Sequence, residues 1–243
     1  KKEFEFELLD KNSLDFWNST FETKLIGGVI SNEDGRLNPI ELIKVLMHSL
    51  DQIKINKIEN TVVQISKNNK LNEKRWNINF GNNKYINQDF IVLCSALNTQ
   101  KLLAPLGYKI FLEPILGQVV ELELEDNAIN WKNWPGILNY QSINFIHNKP
   151  NHLIMGATVE RGISPSQLEK QVMLKINNTA PKWIRNAKVS NEWSGIRARP
   201  TNEPSPLIKE LEAGLLINTG HYRNGILLAP ACAEWIGLKI ENQ

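Results

Sequence analysis

The sequence has only two cysteines in 243 residues, with no C-x-x-C pair and no cysteine and histidine cluster. That excludes a disulfide framework and a zinc site of the usual spacing. Cys94 and Cys232 each lie in an apolar run, so both are expected as small buried thiols, in keeping with a reducing cytoplasm. No apolar run reaches the length of about 18 residues that spans a bilayer. The opening K-K-E-F-E-F-E-L-L-D is too acidic for a secretory signal, so a soluble, cytoplasmic protein is expected. Charge of one sign is also lacking: 28 basic and 26 acidic residues are mixed along the chain for a net charge of +2. Nothing in that balance asks for nucleic acid or another polyanion. Finally, there is no G-x-G-x-x-G. The glycine pair Gly27-Gly28 opens onto S-N-E-D-G rather than a helix, and so cannot serve as a dinucleotide-binding turn.

What is present is an ordinary globular composition, 42% hydrophobic and 22% charged, with length for one large or two small domains. The segment N-P-I-E-L-I-K-V-L-M-H-S-L-D-Q-I carries apolar residues at helical spacing, with Asn38 as N-cap, Pro39 at the first helical position and Glu41 in the first turn. Strand-like runs follow at 61 to 65, 75 to 80 and 89 to 96. The first two alternate, as in a sheet with one wet face; the third is continuously apolar from 90 to 94, as in a strand buried on both faces of a parallel sheet. It is therefore assigned to a different sheet. A short helix is expected near 98 to 104, then a long extended stretch including V-E-L-E-L-E, and strands at 136 to 140, 142 to 147 and 152 to 158. Ser164-Pro165-Ser166 is read as a helix start with Ser164 as cap, running to about Asn177, with a further helical turn at 180 to 186. Strands at 189 to 197 and over G-L-L-I-N-T, and a helix from about Ile226 to Leu238, complete an α+β pattern without repeats or linkers.

Two segments carry chemistry. In G-L-L-I-N-T-G-H-Y-R-N-G-I-L-L-A-P, an apolar strand, a polar loop bounded by glycines and an apolar helix follow one another. Such a unit presents free N–H groups and a positive dipole end, which favour an anion, although Gly220 and Gly225 could equally serve only the tight turn. In W-S-G-I-R-A-R-P, Arg197 and Arg199 fall on one face of a strand and could converge on a carboxylate, or lie solvated at an edge.

Together, W-S-G-I-R at 193 to 197 and T-G-H-Y-R-N-G-I-L-L-A-P at 219 to 230 resemble the D-amino-acid-oxidase-like family of FAD-dependent oxidoreductases, nearest to its glycine and sarcosine oxidase branch, which includes the thiamine-biosynthesis glycine oxidases. E-D-G-R-L-N-P-I-E-L, D-F-I-V-L-C-S-A, E-P-I-L-G-Q-V-V and M-G-A-T-V-E support the resemblance in the same order along the chain. The family oxidises an amine by passing hydride to N5 of FAD, after which the imine hydrolyses and many members reoxidise the flavin with O2. No side-chain acid or base is required.

By that resemblance, Arg197 or Arg199 pairs with the substrate carboxylate, with Arg197 preferred, and Arg223 lies beside the same pocket. Val159 forms an apolar wall. Gly220, His221, Asn224, Gly225, Ile226 and Leu227 border the flavin, the loop supplying N–H groups near its N1 and O2. The family has a single R-P where this chain reads R-A-R-P, and its carboxylate-binding tyrosine aligns with Phe145, which makes glycine itself a less safe substrate. The usual G-A-W is replaced by Ser95-Ala96-Leu97. His48 and His152 are read as structural, His147 as sharing the face of Phe145, and His221 as no base. The resemblance implies a mixed-sheet substrate-binding domain at 1–28 and 108–192. Residues 29–107 and 193–243 are read as the remainder of a doubly wound FAD-binding domain without its first βαβ unit, a remainder expected to hold FAD poorly and to be inactive alone. The expected partners are a small amine or amino acid and O2 or another acceptor, with homo-oligomerisation left open. A non-catalytic binding or interaction domain on the same scaffold is the alternative.

Overall fold

The computed structural model describes residues 5–68, 73–81 and 84–242, so the first residues of the acidic start lie outside the described residues. In chain order the elements are β1 (Phe6–Leu8), α1 (Lys11–Phe21), β2 (Val29–Ser31), α2 (Pro39–Gln52), β3 (Gln64–Lys67), β4 (Trp76–Asn79), β5 (Tyr85–Gln88), β6 (Ile91–Leu93) and α3 (Asn98–Leu103). Then come β7 (Leu112–Glu123), β8 (Leu138–Tyr140), β9 (Ile143–Lys149), β10 (His152–Gly156), β11 (Glu160–Arg161), α4 (Gln167–Leu174), α5 (Lys182–Arg185), β12 (Lys188–Pro200), β13 (Leu207–Glu212), β14 (Leu215–Thr219) and α6 (Gly225–Glu241). They fall into two compact units. The first comprises Lys1–Ile55, Gly117–Glu160 and Pro165–Gly195; the second comprises Asn56–Leu116, Arg161–Ser164 and Ile196–Gln243. No helix among the described residues is long and apolar enough to cross a membrane.

The core of the first unit forms where alternating strands turn one face inward. Val120, Leu122 and Leu124 of the V-E-L-E-L-E stretch are buried together with Phe145, Leu153 and Met155 of the antiparallel neighbours. Each such side chain contributes roughly 1.5–3 kcal/mol of burial free energy. α1 begins where the Asp10 carboxylate accepts the Ser13 N–H (2.7 Å) and ends by burying Phe21 against Tyr140, Phe145 and Trp183. α2 starts as expected, its Asn38 side chain accepting from Ile40 N (3.0 Å) and Glu41 N (3.4 Å). Its apolar stripe, however, is wet: no residue of α2 is buried, and Ile40, Ile43 and Leu46 are all exposed. His48 on this helix therefore faces no core, contrary to expectation.

In the second unit, β14 pairs in parallel with β6 (Leu215↔Ile91, Ile217↔Leu93) and antiparallel with β13. β3, β4 and β5 form a separate antiparallel sheet. The division between alternating and continuously apolar strands is thus a division between sheets. Ile91, Leu93, Leu215 and Ile217 share a core with Ile65, Trp76, Leu102 and Leu103.

Two local expectations differ from the structure. Helix α4 is capped by Ser166, which accepts from Glu169 N (3.2 Å), and not by Ser164. The reason is a tertiary bond: the Glu160 carboxylate accepts the Ser166 N–H at 2.7 Å and holds the chain extended there. Cys94 is exposed whereas Cys232 is buried, because the run 90 to 94 outlasts its strand by one residue. α1, β5 and β13 had no strong pattern to announce them.

Candidate functional site

Parallel strands place their carboxyl ends together, so the segments leaving β6 and β14 emerge side by side. The buried Thr219 at the end of β14 joins them: its hydroxyl donates to Ala96 O (3.3 Å) and lies 3.5 Å from the Thr99 hydroxyl. Gly220 then turns with φ +63, and a Cβ on it would stand 2.7 Å from Cγ of Pro200. Tyr222 holds φ +52, a conformation costing a non-glycine residue about 1–3 kcal/mol, and its N–H donates to Ala198 O at 3.2 Å. Asn224 N–H donates to His221 O (3.1 Å), and α6 begins.

The Asn224 side chain caps nothing, and the first bond returning to it comes from Leu228 N (3.0 Å). The N–H groups of Gly225, Ile226 and Leu227 find no acceptor among the described residues, and Leu227 is 79% exposed. This leaves the positive end of a 17-residue helix open to an anionic or polarised group. His221 is half-buried, and burial pushes its pKa down, favouring the neutral ring.

The two arginines of R-A-R-P have separate fates. Arg199 donates from Nε (2.6 Å) and Nη2 to the Glu113 carboxylate, and its guanidinium lies 5.6 Å from the Tyr222 ring centroid. The bond to Glu113 raises its pKa. Arg197 is half-buried, and its Nη1 is enclosed with no hydrogen-bond acceptor. Burial, and then the nearby charge of Arg223, push its pKa below the ordinary value. An enclosed guanidinium donor without an acceptor, near a second cation, is a setting that favours an anion. Arg223 itself is exposed.

Val159 and Phe145 belong to the first unit. Val159 is 50% exposed. Phe145 has no exposed surface and packs on Phe21 with ring centroids 5.8 Å apart, so it is a core residue with nothing to offer a ligand. His147 does lie one alternation further along the strand, stacked on Trp131 at 4.1 Å. His152 stands 3.5 Å from Glu121.

Sequence reasoning missed the partner of Arg199: Glu113 was visible in E-P-I-L-G-Q-V-V but had no assigned role. It also missed a polar network in which Glu160 accepts from Gln118 Nε2 (2.8 Å), the Thr158 hydroxyl and Ser166 N, while the Thr158 hydroxyl accepts Gln118 N (2.8 Å). Burial would raise the Glu160 pKa, but these bonds overcome it and hold the carboxyl below its usual range. No group of metal-ligating side chains occurs among the described residues.

Residues 1–237 match the DAO family, FAD dependent oxidoreductase. The chain belongs to this family. The glycine oxidase of Pseudomonas putida is 26% identical over 151 residues, which are 60% of this chain and 40% of that protein. The structure of glycine oxidase from Bacillus cereus superposes on 99% of this chain with a TM-score of 0.81 at 21% identity, and that of iminodiacetate oxidase from Chelativorans sp. BNC1 on 98% with a TM-score of 0.79 at 16% identity. At those identities the likeness is one of fold. The chain spans 65% of the Bacillus cereus protein and 64% of the Chelativorans protein. FAD is the cofactor of the family, and an uncapped N-terminus on α6 preceded by a glycine with no room for a side chain suits the polarised edge of a flavin ring. The G-x-G-x-x-G that would suit its pyrophosphate is not in this sequence.

Proposed function

We propose that the complete protein oxidises the C–N bond of a small, carboxylate-bearing amine, either an amino acid or an N-substituted one. The observation that carries this reading is Arg197: an enclosed, unpaired guanidinium nitrogen beside a second cation, on the strand that receives the Tyr222 N–H. A carboxylate is the planar anion that matches a guanidinium with two parallel bonds. Arg223 adds attraction from the exposed side. FAD, when bound, supplies the two-electron acceptor that takes hydride from the carbon bearing nitrogen. The N–H groups of Gly225, Ile226 and Leu227 and the positive end of α6 favour negative charge on the neighbouring group, without any side chain changing protonation. The oxidised substrate, an imine, is hydrolysed by water to a carbonyl compound and an amine, and O2 or another acceptor removes the electrons.

We assign the substrate-binding role to 1–28 and 108–192 and the flavin-binding role to 29–107 and 193–243. The wet apolar stripe of α2 supports a further reading, that a βαβ unit carrying the pyrophosphate turn covers it in the complete protein. On that reading the 243-residue chain alone is colourless and inactive. A non-catalytic binding domain on the same scaffold is the second reading. An amine panel assayed on the complete protein with peroxide detection separates them. Turnover of a small amino acid, but not of its decarboxylated analogue, is expected; no turnover with any amine or acceptor, in a protein that binds FAD stoichiometrically, would overturn the enzyme.

A further inference from the structure

Arg197 and Arg199 project from one strand face, yet only one is free. What separates them is Glu113, whose carboxylate takes both Nε and Nη2 of Arg199. Its strand is fastened to the end of β12 by Thr201 N donating to Phe111 O at 3.1 Å. The same short stretch of β12 engages the loop at three successive residues: Ala198 O accepts Tyr222 N, Arg199 stacks on the Tyr222 ring, and Pro200 fills the space a side chain on Gly220 would need. Tyr222 holds positive φ, so the loop persists in this form only where neighbours over-determine it.

We propose that Glu113, Arg199 and Tyr222 form a positioning clamp that fixes Arg223 beside Arg197, so that Arg199 serves the carboxylate site without touching the carboxylate. This rests on the reading of Arg197 as the carboxylate ligand. The charge pattern fits: Glu113 neutralises Arg199 and leaves the net positive charge of the site to Arg197 and Arg223.

The test is calorimetric titration of the complete, flavin-loaded protein with acetate, a carboxylate without an amine, alongside steady-state kinetics with the substrate. Glu113→Gln and Tyr222→Ser are expected to raise the acetate Kd and the substrate KM about fivefold to tenfold, with kcat changed less than about twofold. Tyr222→Phe, which keeps the ring beside Arg199 but loses the hydroxyl that also supports it, is expected to fall between wild type and Tyr222→Ser. Should Glu113→Gln fail to fold, Tyr222→Ser, which alters no charge, carries the test. If both clamp variants bind acetate like wild type while Arg197→Met does not, the clamp is overturned and the Arg197 reading stands. If Arg197→Met also binds acetate normally, the Arg197 reading falls and the clamp with it.

Discussion

Glu160 is a buried charge and Arg197 a half-buried one with an enclosed nitrogen, and they have opposite surroundings. Glu160, 6% exposed, receives donors from Gln118, Thr158 and the Ser166 backbone, and nothing in its setting asks for a ligand. Arg197 has an enclosed nitrogen with no acceptor and a like charge nearby. A satisfied buried charge is scaffold, since removing it strands its donors; an unsatisfied enclosed donor lowers stability.

That contrast can be broken by mutation. Glu160→Ala leaves the Gln118 amide, the Thr158 hydroxyl and the Ser166 N–H without an acceptor, and is expected to cost about 3 kcal/mol in urea unfolding. Arg197→Met removes an unpaired charge and is expected to leave stability unchanged or raise it by up to about 1 kcal/mol; a loss comparable to Glu160→Ala would erase the distinction. Gly220→Ala forces a Cβ onto Pro200 at positive φ and is expected to cost about 1–2 kcal/mol, read as a lowered denaturant midpoint with unchanged slope.

The smallest effects are those of pH. Glu160 has a depressed folded pKa, as does Glu212, whose bonds from Lys67 and Tyr108 outweigh the upward push of burial. Their stabilisation is therefore complete above the ordinary value of 4.5 and is lost as pH falls below it through the folded values. Tyr108 is displaced the other way, pushed up to about 12 by its bond to Glu212, so its contribution holds below 10 and disappears as pH rises towards 12. A stability profile with decline on the acid side beginning well above 4.5 would contradict the first statement.

The comparison also explains which parts of the molecule were legible in the sequence. Asn38-Pro39, the alternation of 120 to 124 and the continuous run at 90 to 93 depend on local periodicity and were readable, including the assignment of that run to a separate sheet. The wetness of α2 was not, because periodicity shows that a face is apolar without showing what covers it. The start of α4 was misplaced because Glu160, a long-range partner, decides it. Within the site, the arginines and the glycine-bounded loop were legible as residue types in order. The pairing of Arg199 was not, since its partner Glu113 lies 86 residues away in the chain. Phe145 was offered as a contact by alignment alone, whereas its neighbours Phe21 and Met155 enclose it.

The central claim is that Arg197 reads a carboxylate. Its most direct test compares an amino acid substrate with its decarboxylated amine, in the FAD-saturated complete protein and in Arg197→Met. Loss of a charge-assisted pair of about 1.5–3 kcal/mol should lower kcat/KM for the amino acid tenfold to roughly a hundredfold, and leave the value for the bare amine within about twofold. An equal loss for both substrates, or none for the amino acid, would contradict the account.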